Sequence, residues 1–310
     1  MLLSSEWMYI PHSYPSVDVL PGFALVGLPA AESDNALLVP ITGHELAHVV
    51  WLRLSIKADL DLPVQLALRE QICDNLDEYN ELFHSSLDAS ALVAQWDQSP
   101  VRETWNTARV FAVRQAEELF SDFLAVALFG TAYLQAFAYL LSPQFLLPRS
   151  PEYPPMLRRV QEIVAAAREW RVPVPRSYIE SFQEPPDPTL SRTERFQLAM
   201  ADAVVPRFVV RLRQSAYDHV ESSCQRPSNR ETIRIYKRFK LLVPAESCRT
   251  LADILNAAWR INEKQGLWLR TGAEDRNMTS AFNDLVLKTI EIFDCEEVRQ
   301  RLEMKNGTEE

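Results

Sequence analysis

The stretch His44-Glu45-Leu46-Ala47-His48 decides how this chain is interpreted. Residues four apart on an α-helix share one face, with their Cβ atoms about 5–6 Å apart. Two imidazoles at that spacing can bind one tetrahedral metal ion at about 2.0–2.1 Å. The spacing therefore predicts a metal-binding helix over residues 41–55, in which Glu45 lies beside an open coordination position and acts as a general base.

The segments on both sides of this motif are apolar. Residues 36–39 precede it, and residues 49–54 follow it with only Arg53 interrupting the apolar run. Two histidines and a glutamate in such a helix are costly to bury unless something satisfies them, and a metal ion would do so. The alternative is a helix in which ordinary hydrogen bonds satisfy both histidines.

Composition predicts a mainly α chain with a small N-terminal β-hairpin, an α+β class. The chain has 7 Gly and 20 Pro, and its long apolar-periodic segments lie between proline-marked breaks. Residues 23–28 and 36–39 are the expected strands of the hairpin. Long helices are expected over 64–85, 102–141 and 156–170, followed by a helical remainder from residue 191 onward.

Two domains are predicted, 1–172 and 173–310, with the proline-rich segment 172–188 between them, although both could pack as one unit. Residues 123–141 carry no charged side chain, and we expect them to form a buried core helix rather than a membrane span. Ser191 and Ser228 each begin a capping-box pattern, and Thr250 is a further candidate cap.

Charge and cysteine spacing exclude several classes of protein. The net charge of −10 argues against a nucleic-acid partner bound through phosphates. The 4 cysteines are far apart and form no CxxC pair, so a thiolate zinc site is not expected. The first residues have no basic region followed by an apolar run, and we therefore expect a cytoplasmic protein.

A catalytic zinc ion needs a third protein ligand besides the two histidines of the motif. An extended motif would place another histidine six residues after His48, but Leu54 occupies that position. His84 and His219 are present but lie in no recognisable motif. None of these positions gives a convincing third ligand.

Better candidates are Glu118 and Asp122, which are four residues apart and so share one helix face. Glu118 could bind the metal. Asp122 could accept a hydrogen bond from the far nitrogen of a ligand histidine and so fix its tautomer. Glu117 points about 100° away around the helix and is expected to be a neighbour rather than a ligand.

With HExxH on one helix and ExxxD on a later one, the chain resembles the gluzincin class of zinc metallopeptidases. The resemblance implies a zincin-like catalytic core, here followed by extra C-terminal helices. It also implies that His44, His48 and Glu118 bind Zn²⁺, that Glu45 is the general base, and that Asp122 supports a ligand histidine. The matching residues span only about 36–125.

A fainter resemblance concerns Tyr153-Pro154-Pro155 and Arg159. The membrane-associated prenyl-protein endopeptidases and the heat-shock peptidases carry an HPP segment with an arginine six residues after its histidine, and here Tyr153 replaces that histidine. A second stabiliser of the developing oxyanion is needed besides the metal. Tyr153, Arg159 and Tyr133 are the candidates, and the sequence does not choose among them.

These patterns lead to the hypothesis of a zinc-dependent metallopeptidase that hydrolyses a protein or peptide substrate. Residues 36–39 could align an extended substrate as an added strand, or could simply pack against the helix that carries the HExxH motif. The alternative is a helical interaction module with a structural or degenerate metal site, whose C-terminal helices bind a protein partner or self-associate. Trp259 and Trp268 could then belong to its interface. A further rival is a membrane peptidase that uses residues 123–141 as a span.

Overall fold

The computed structural model describes residues 2–6, 12–14, 25–32, 34–142, 148–186, 188–263 and 275–306. Helices account for most of these residues, in agreement with the prediction of a mainly α chain. In chain order the α-helices of the described residues are α1 (Ile41–Arg53), α2 (Ile56–Asp74), α3 (Leu76–Phe83), α4 (Ala89–Ala94), α5 (Val101–Phe129), α6 (Thr131–Leu141), α7 (Met156–Glu169), α8 (Arg192–Val204), α9 (Val209–Ser223), α10 (Asn229–Phe239), α11 (Leu251–Asn262) and α12 (Asp275–Asn306).

The described strands are short and lie near the N-terminus: β1 (Leu2–Glu6), β2 (His12–Tyr14) and β3 (Leu25–Pro29). The central strand is β3, which pairs in parallel with β1 and antiparallel with β2. In this register Leu25 lies opposite Leu2 on one side and opposite Tyr14 on the other. The antiparallel partner of β3 therefore precedes it in the chain.

The predicted hairpin is wrong in its second strand, because residues Ala36–Leu38 form a 3₁₀ helix. The Asn35 side chain accepts a hydrogen bond from the Leu37 N–H and so caps this turn. The Ala36 N–H donates to Asn283 Oδ1 of α12 at 3.0 Å. The Asn35 cap and Asn283 of α12 thus satisfy backbone N–H groups that would otherwise be available for pairing in a sheet. The segment is therefore not available as a strand that aligns a substrate.

Helix α5 is the centre of the molecule and packs against α1, α2, α7, α8 and α9. Its second half is apolar on nearly all sides, which is typical of a helix surrounded by other helices. Leu119, Phe120 and Phe123 are each 0 % exposed. Burying one side chain of this kind contributes about 1.5–3 kcal/mol, so this half of α5 fixes the position of its polar residues firmly.

Most of the uncharged run 123–141 is buried, as predicted, with Tyr139 and Leu141 exposed near its end, but the run does not form one helix. Gly130 has a φ of 61°, which breaks the run into the end of α5 and the whole of α6. A residue with a side chain adopts that conformation only with strain. No helix in the described part of the chain combines the length and the apolar character that a membrane crossing requires.

Helices from both sides of residue 172 share apolar packing. Phe196 and Val204 of α8 belong to the same cluster of buried side chains as Trp51 of α1 and Phe120 of α5. The division into 1–172 and 173–310 stays a prediction. Its proline-rich segment has one clear structural use, because Glu184 accepts hydrogen bonds from the first backbone N–H groups of α7 at 2.8 Å.

The predicted helix starts are partly confirmed. Ser191 and Glu194 form the expected capping box at α8, and Thr250 accepts from the Asp253 N–H at α11. Ser228 precedes α10 but its side chain makes no capping hydrogen bond. Its own N–H instead donates to Asp253 Oδ1 at 2.6 Å, which ties the start of α10 to α11.

Of the two tryptophans suggested for an interface, the structure describes only Trp259, and this residue is buried. Trp259 is 5 % exposed and its indole N–H donates to the Leu37 carbonyl at 2.9 Å. It is therefore a core residue that holds α11 against the 3₁₀ helix. Trp268 lies outside the described residues.

Candidate metal centre

The two motifs come together where α1 packs against α5. His44, His48 and Glu118 each present one ligand atom, and these atoms lie within 4.8 Å of one another. The Nε2 atom of His44 lies 3.3 Å from Glu118 Oε2, and the Nε2 atom of His48 lies 3.7 Å from Glu118 Oε1. Glu118 thus faces the same ring nitrogen of both histidines.

A close approach of the two helices brings these ligand atoms within reach of one another. Gly43, immediately before the motif, lies against Phe129 and Ala125 near the end of α5. A Cβ atom added at Gly43 would lie 2.8 Å from Phe129 Cε2, well inside ordinary contact distance. Glycine at this position therefore leaves room for the Phe129 ring between α1 and α5, and a side chain there would force the ring or the helix to shift.

The other ring nitrogen of His44 points into the core. Its Nδ1 atom lies 3.0 Å from Asp122 Oδ1. The Tyr133 hydroxyl donates to the same carboxylate oxygen at 2.6 Å. Asp122 is 0 % exposed. The expected contact between Asp122 and a histidine of the motif is thus present, and it is fixed from a second side by Tyr133.

Arg159 completes this inner group. It donates from Nε to Asp122 Oδ2 at 2.6 Å and from Nη2 to Asp122 Oδ1 at 2.8 Å. The same Nη2 atom lies 3.2 Å from Glu118 Oε2. Burial would raise the pKa of Asp122, but the Arg159 guanidinium outweighs burial and holds that pKa well below its usual range. Asp122 and Arg159 therefore form a buried, hydrogen-bonded ion pair.

Glu117 has a role that the sequence prediction missed. Its Oε1 atom lies 3.0 Å from His48 Nδ1, and Arg114 donates to its Oε2 atom at 3.2 Å. Both histidines therefore have their Nδ1 atoms on a carboxylate and their Nε2 atoms toward Glu118. The sequence feature that could have indicated this role is the pair of adjacent glutamates, Glu117 and Glu118. They occupy neighbouring faces of α5, and two histidines one turn apart on α1 offer ring nitrogens to both.

The electrostatics of this cluster favour a positive charge between the carboxylates. Burial lowers the pKa of His44, but Asp122 and Glu118 outweigh burial and raise that pKa to about 10. Burial raises the pKa of Glu118, whereas His44, Arg159 and His48 together bring it below its usual value. A metal cation bound here would take the place of the proton on His44.

One unsatisfied atom tests whether a metal fits. Glu118 Oε2 is buried and has no hydrogen-bond partner, although His44 and Arg159 lie within ion-pair distance. Buried carboxylate oxygens without a hydrogen bond are rare and need an explanation. Two imidazole nitrogens and one carboxylate oxygen form a donor set that suits zinc. The residues present fit a metal ion.

Glu45 and Tyr153 lie close to this cluster. Glu45 follows His44 on α1 and is only 6 % exposed. The charge of Glu118, burial and the charge of Glu45 together raise the pKa of Tyr153 to about 12. The Tyr153 ring also lies over the Arg159 guanidinium, with 5.4 Å between Cζ and the ring centre. Its phenol is therefore neutral at physiological pH and lies within electrostatic reach of both glutamates.

The structure separates the three candidate oxyanion stabilisers. The Tyr133 hydroxyl is committed to Asp122, and Arg159 is committed to Asp122 and adjoins Glu118. Tyr153 is 37 % exposed, and its hydroxyl makes no hydrogen bond to any residue that the structure describes. Of the three, Tyr153 has the donor that is available to a ligand.

The other histidines considered as ligands lie apart from this cluster. His84 follows the last residue of α3, and His219 is on α9. Leu54, at the position where an extended motif needs histidine, follows the end of α1 and is 42 % exposed. Over the described residues, His44, His48 and Glu118 are the one group of three possible metal ligands.

Comparisons with models of protein families, with curated protein sequences and with solved structures found no match for this chain. The resemblance to the gluzincins therefore rests on the two motifs and on the proximity of the residues that carry them.

Proposed function

We propose that this protein is a zinc-dependent metallopeptidase with a zincin-like core of the gluzincin type. The observation that carries the proposal is the meeting of His44, His48 and Glu118 at one point between α1 and α5. The two motifs are 70 residues apart in the chain, from His48 to Glu118, and nothing local in the sequence forces them together. A shared ligand explains why so many polar groups are buried there.

The number of ligands supports a catalytic rather than a structural ion. Within the described residues the cluster offers three ligand residues. Structural zinc sites usually have four protein ligands, whereas catalytic sites keep one position open. The alternative of a helical interaction module with a structural site is therefore less well supported. A degenerate site would also leave the buried carboxylate of Glu45 without a use.

When bound, zinc supplies a Lewis acid that acidifies water and polarises the scissile carbonyl. Glu45 accepts the proton of the attacking water and delivers it to the leaving amine. Asp122 and Glu117 accept hydrogen bonds from His44 and His48, which keeps both Nε2 atoms as metal ligands. Tyr153 donates its phenolic proton as a hydrogen bond to the oxyanion that forms from the carbonyl.

The proposed substrate is a protein or a peptide in extended form. Segment 36–39 was the expected strand for aligning it, but its 3₁₀ conformation removes that option. Side-chain contacts must then supply much of the affinity. A screen of unstructured peptides identifies the sequence that is cut.

The test combines zinc content with one conservative variant. Glu45→Gln should retain one zinc ion per chain, measured by plasma mass spectrometry, because Glu45 is not a ligand. The same variant should lose cleavage of an unstructured peptide library, measured by mass spectrometry of the products, by about 100-fold or more. Glu78→Gln, an exposed change on α3, is the matched control and should keep both properties.

His44→Ala and Glu118→Ala should instead lose the zinc ion. Wild-type protein without zinc, or Glu45→Gln protein that cleaves the library as well as wild type, would sink the proposal. Zinc bound by wild type without any cleavage, and with a fourth protein ligand in the zinc-loaded structure, would favour the interaction module instead.

A further inference from the structure

The segment just before α7 contacts the helix that carries Glu118, because Gln115 of α5 donates to the Pro151 carbonyl. We call residues 148–155 the strap. Its backbone is held at two places: the Arg149 N–H donates to the Pro186 carbonyl at 3.1 Å, and the Tyr153 N–H donates to the Ser150 carbonyl at 3.0 Å. The strap therefore has a defined path although it has no helix or strand.

One side chain of the strap does most of the fastening. The Arg149 guanidinium donates through Nη1 to Asp202 Oδ2 on α8 at 2.9 Å, and through Nη2 to Oδ1 of the same carboxylate. Its third nitrogen, Nε, donates to the Tyr153 carbonyl at 2.8 Å. The Arg149 side chain is 10 % exposed. A bidentate arginine–carboxylate pair is both strong and specific in direction.

The same carboxylate also links the strap to the metal-binding helix. Gln115 of α5 is 1 % exposed and donates to Asp202 Oδ1 at 2.9 Å. It lies within hydrogen-bond distance of the Pro151 carbonyl as well, at 3.2 Å. Gln115 is one helical turn before Glu118 on α5. Asp202 thus fixes the strap relative to the helix that supplies the third ligand.

These contacts determine where Tyr153 lies. Its carbonyl is held by Arg149, and its ring lies over Arg159, whose Nη2 atom is 3.2 Å from Glu118 Oε2. The charges of Glu118 and Glu45 both act on its phenol. The ligand histidine His44 is itself only 8 % exposed.

We infer that Arg149, held on Asp202, is a positioning residue that fixes Tyr153 at the metal centre and keeps the strap closed over it. The catalytic use of this arrangement rests on the proposed peptidase function, whereas the arrangement itself does not. Loss of the Arg149 contacts frees Tyr153 and opens the centre to small reagents.

The first test needs neither metal nor substrate. Nitration of Tyr153 by tetranitromethane, located by mass spectrometry, should be at least about tenfold faster in Arg149→Ala than in wild type. The phenolate is the form that reacts; Glu118 and Glu45 disfavour it by raising the Tyr153 pKa to about 12, and a Tyr153 released from the strap contacts moves away from them. Tyr139, on α6 and away from the strap, is the internal reference and should react at an unchanged rate. Arg213→Ala is the matched control, since Arg213 is 14 % exposed and pairs with Glu169 at 3.0 Å far from the strap.

Arg149→Lys separates positioning from simple loss of structure. Lysine keeps a charge for Asp202 but cannot reach Asp202 and the Tyr153 carbonyl together in the same geometry. We expect a nitration rate of Tyr153 between those of wild type and Arg149→Ala. If Arg149→Ala is unfolded, so that all tyrosines react together, Arg149→Lys decides the question. An unchanged Tyr153 rate in the folded arginine variants overturns the inference.

The second test uses the zinc-loaded protein. Release of zinc to the chelating dye 4-(2-pyridylazo)resorcinol should be faster in Arg149→Ala by about tenfold, with the same initial zinc content as wild type. Equal release rates would contradict closure of the strap over the metal. Failure of wild type to bind zinc would instead contradict the proposed function. The nitration rates would still test whether Arg149 positions Tyr153.

Discussion

Each histidine of the candidate metal centre contacts one carboxylate through its Nδ1 atom. One of these carboxylates lies on the inner side, in the core, and the other on the outer side, near the surface. On the inner side His44 Nδ1 lies on Asp122, which is fully buried. On the outer side His48 Nδ1 lies on Glu117, which is 7 % exposed. The two carboxylates make the same contact with their histidines, and at the proposed metal site each would fix a tautomer and leave Nε2 free for the metal ion.

The difference lies in what supports each carboxylate. Asp122 is held by Arg159 and Tyr133 in the core, so its charge is stabilised by groups that water cannot replace. Glu117 is held by Arg114, whose side chain is 55 % exposed, and water can replace much of that contact. A buried support must be complete or it becomes a liability, whereas a support near the surface can be altered at small cost.

The largest effect should follow from breaking the inner ion pair. Arg159→Met leaves the buried Asp122 carboxylate with only His44 as a cationic neighbour, so that its charge is no longer fully compensated. We expect the free energy of unfolding of the metal-free protein to fall by about 3 kcal/mol, the lower end of the range for a broken buried ion pair. Urea denaturation followed by circular dichroism measures it. The double variant with Asp122→Asn should recover part of the loss because it removes the uncompensated charge. A loss below about 1 kcal/mol would mean that this ion pair contributes no more to stability than an ordinary surface ion pair.

The next effect should appear in metal affinity when the inner carboxylate is neutralised. Asp122→Asn should weaken zinc binding by about 10–100-fold, the range found when an outer hydrogen-bond partner of a ligand histidine is changed. Competition with a chelating dye measures the affinity, after circular dichroism has established that the variant is folded. Unchanged affinity would mean that Asp122 serves the core and not the metal site.

A smaller loss should follow from the same change on the outer side. Glu117→Gln retains an acceptor for the His48 ring N–H but removes its charge, and we expect zinc affinity to fall by about tenfold. Calorimetric titration with zinc measures it beside the Asp122 variant. If Glu117→Gln proves the more damaging of the two, the comparison between the two sides is reversed.

The smallest effect should come from the exposed partner of Glu117. Arg114→Ala should change both the free energy of unfolding and the zinc affinity by less than about 1 kcal/mol, because the contact of Arg114 with Glu117 is largely open to water. The same two measurements apply. A larger loss in zinc affinity alone would show that Arg114 matters for the charge at the metal centre.

Helical spacing, which is a local property, predicted each of the two motifs, whereas the resemblance to the gluzincins predicted that they would meet. His44, His48 and Glu118 are found together, and the helices that carry them begin close to the expected residues. The role of Glu117 could not be predicted in the same way. A position about 100° away around α5 rules out a shared face with Glu118, but it does not say which residue of another helix that face meets.

Two further features depended on information that spacing does not contain. Residues 36–39 have a strand-like composition, yet a cap by Asn35 and a contact with Asn283 of α12 stabilise a 3₁₀ turn there. The strap is fixed by Arg149 and Asp202, which are 53 residues apart and lie in no motif. Long-range side-chain contacts of this kind decide irregular structure, whereas periodicity decides helices.

The close contact at Gly43 has a consequence for how far this site can be transplanted. A methyl group at that position would meet the Phe129 ring at 2.8 Å, so either that ring or α1 would have to shift. The five residues of the motif are therefore not a portable unit. A designer who grafts HELAH onto another pair of helices must also graft the glycine before it, because in this protein that residue leaves room for the Phe129 ring between the two helices.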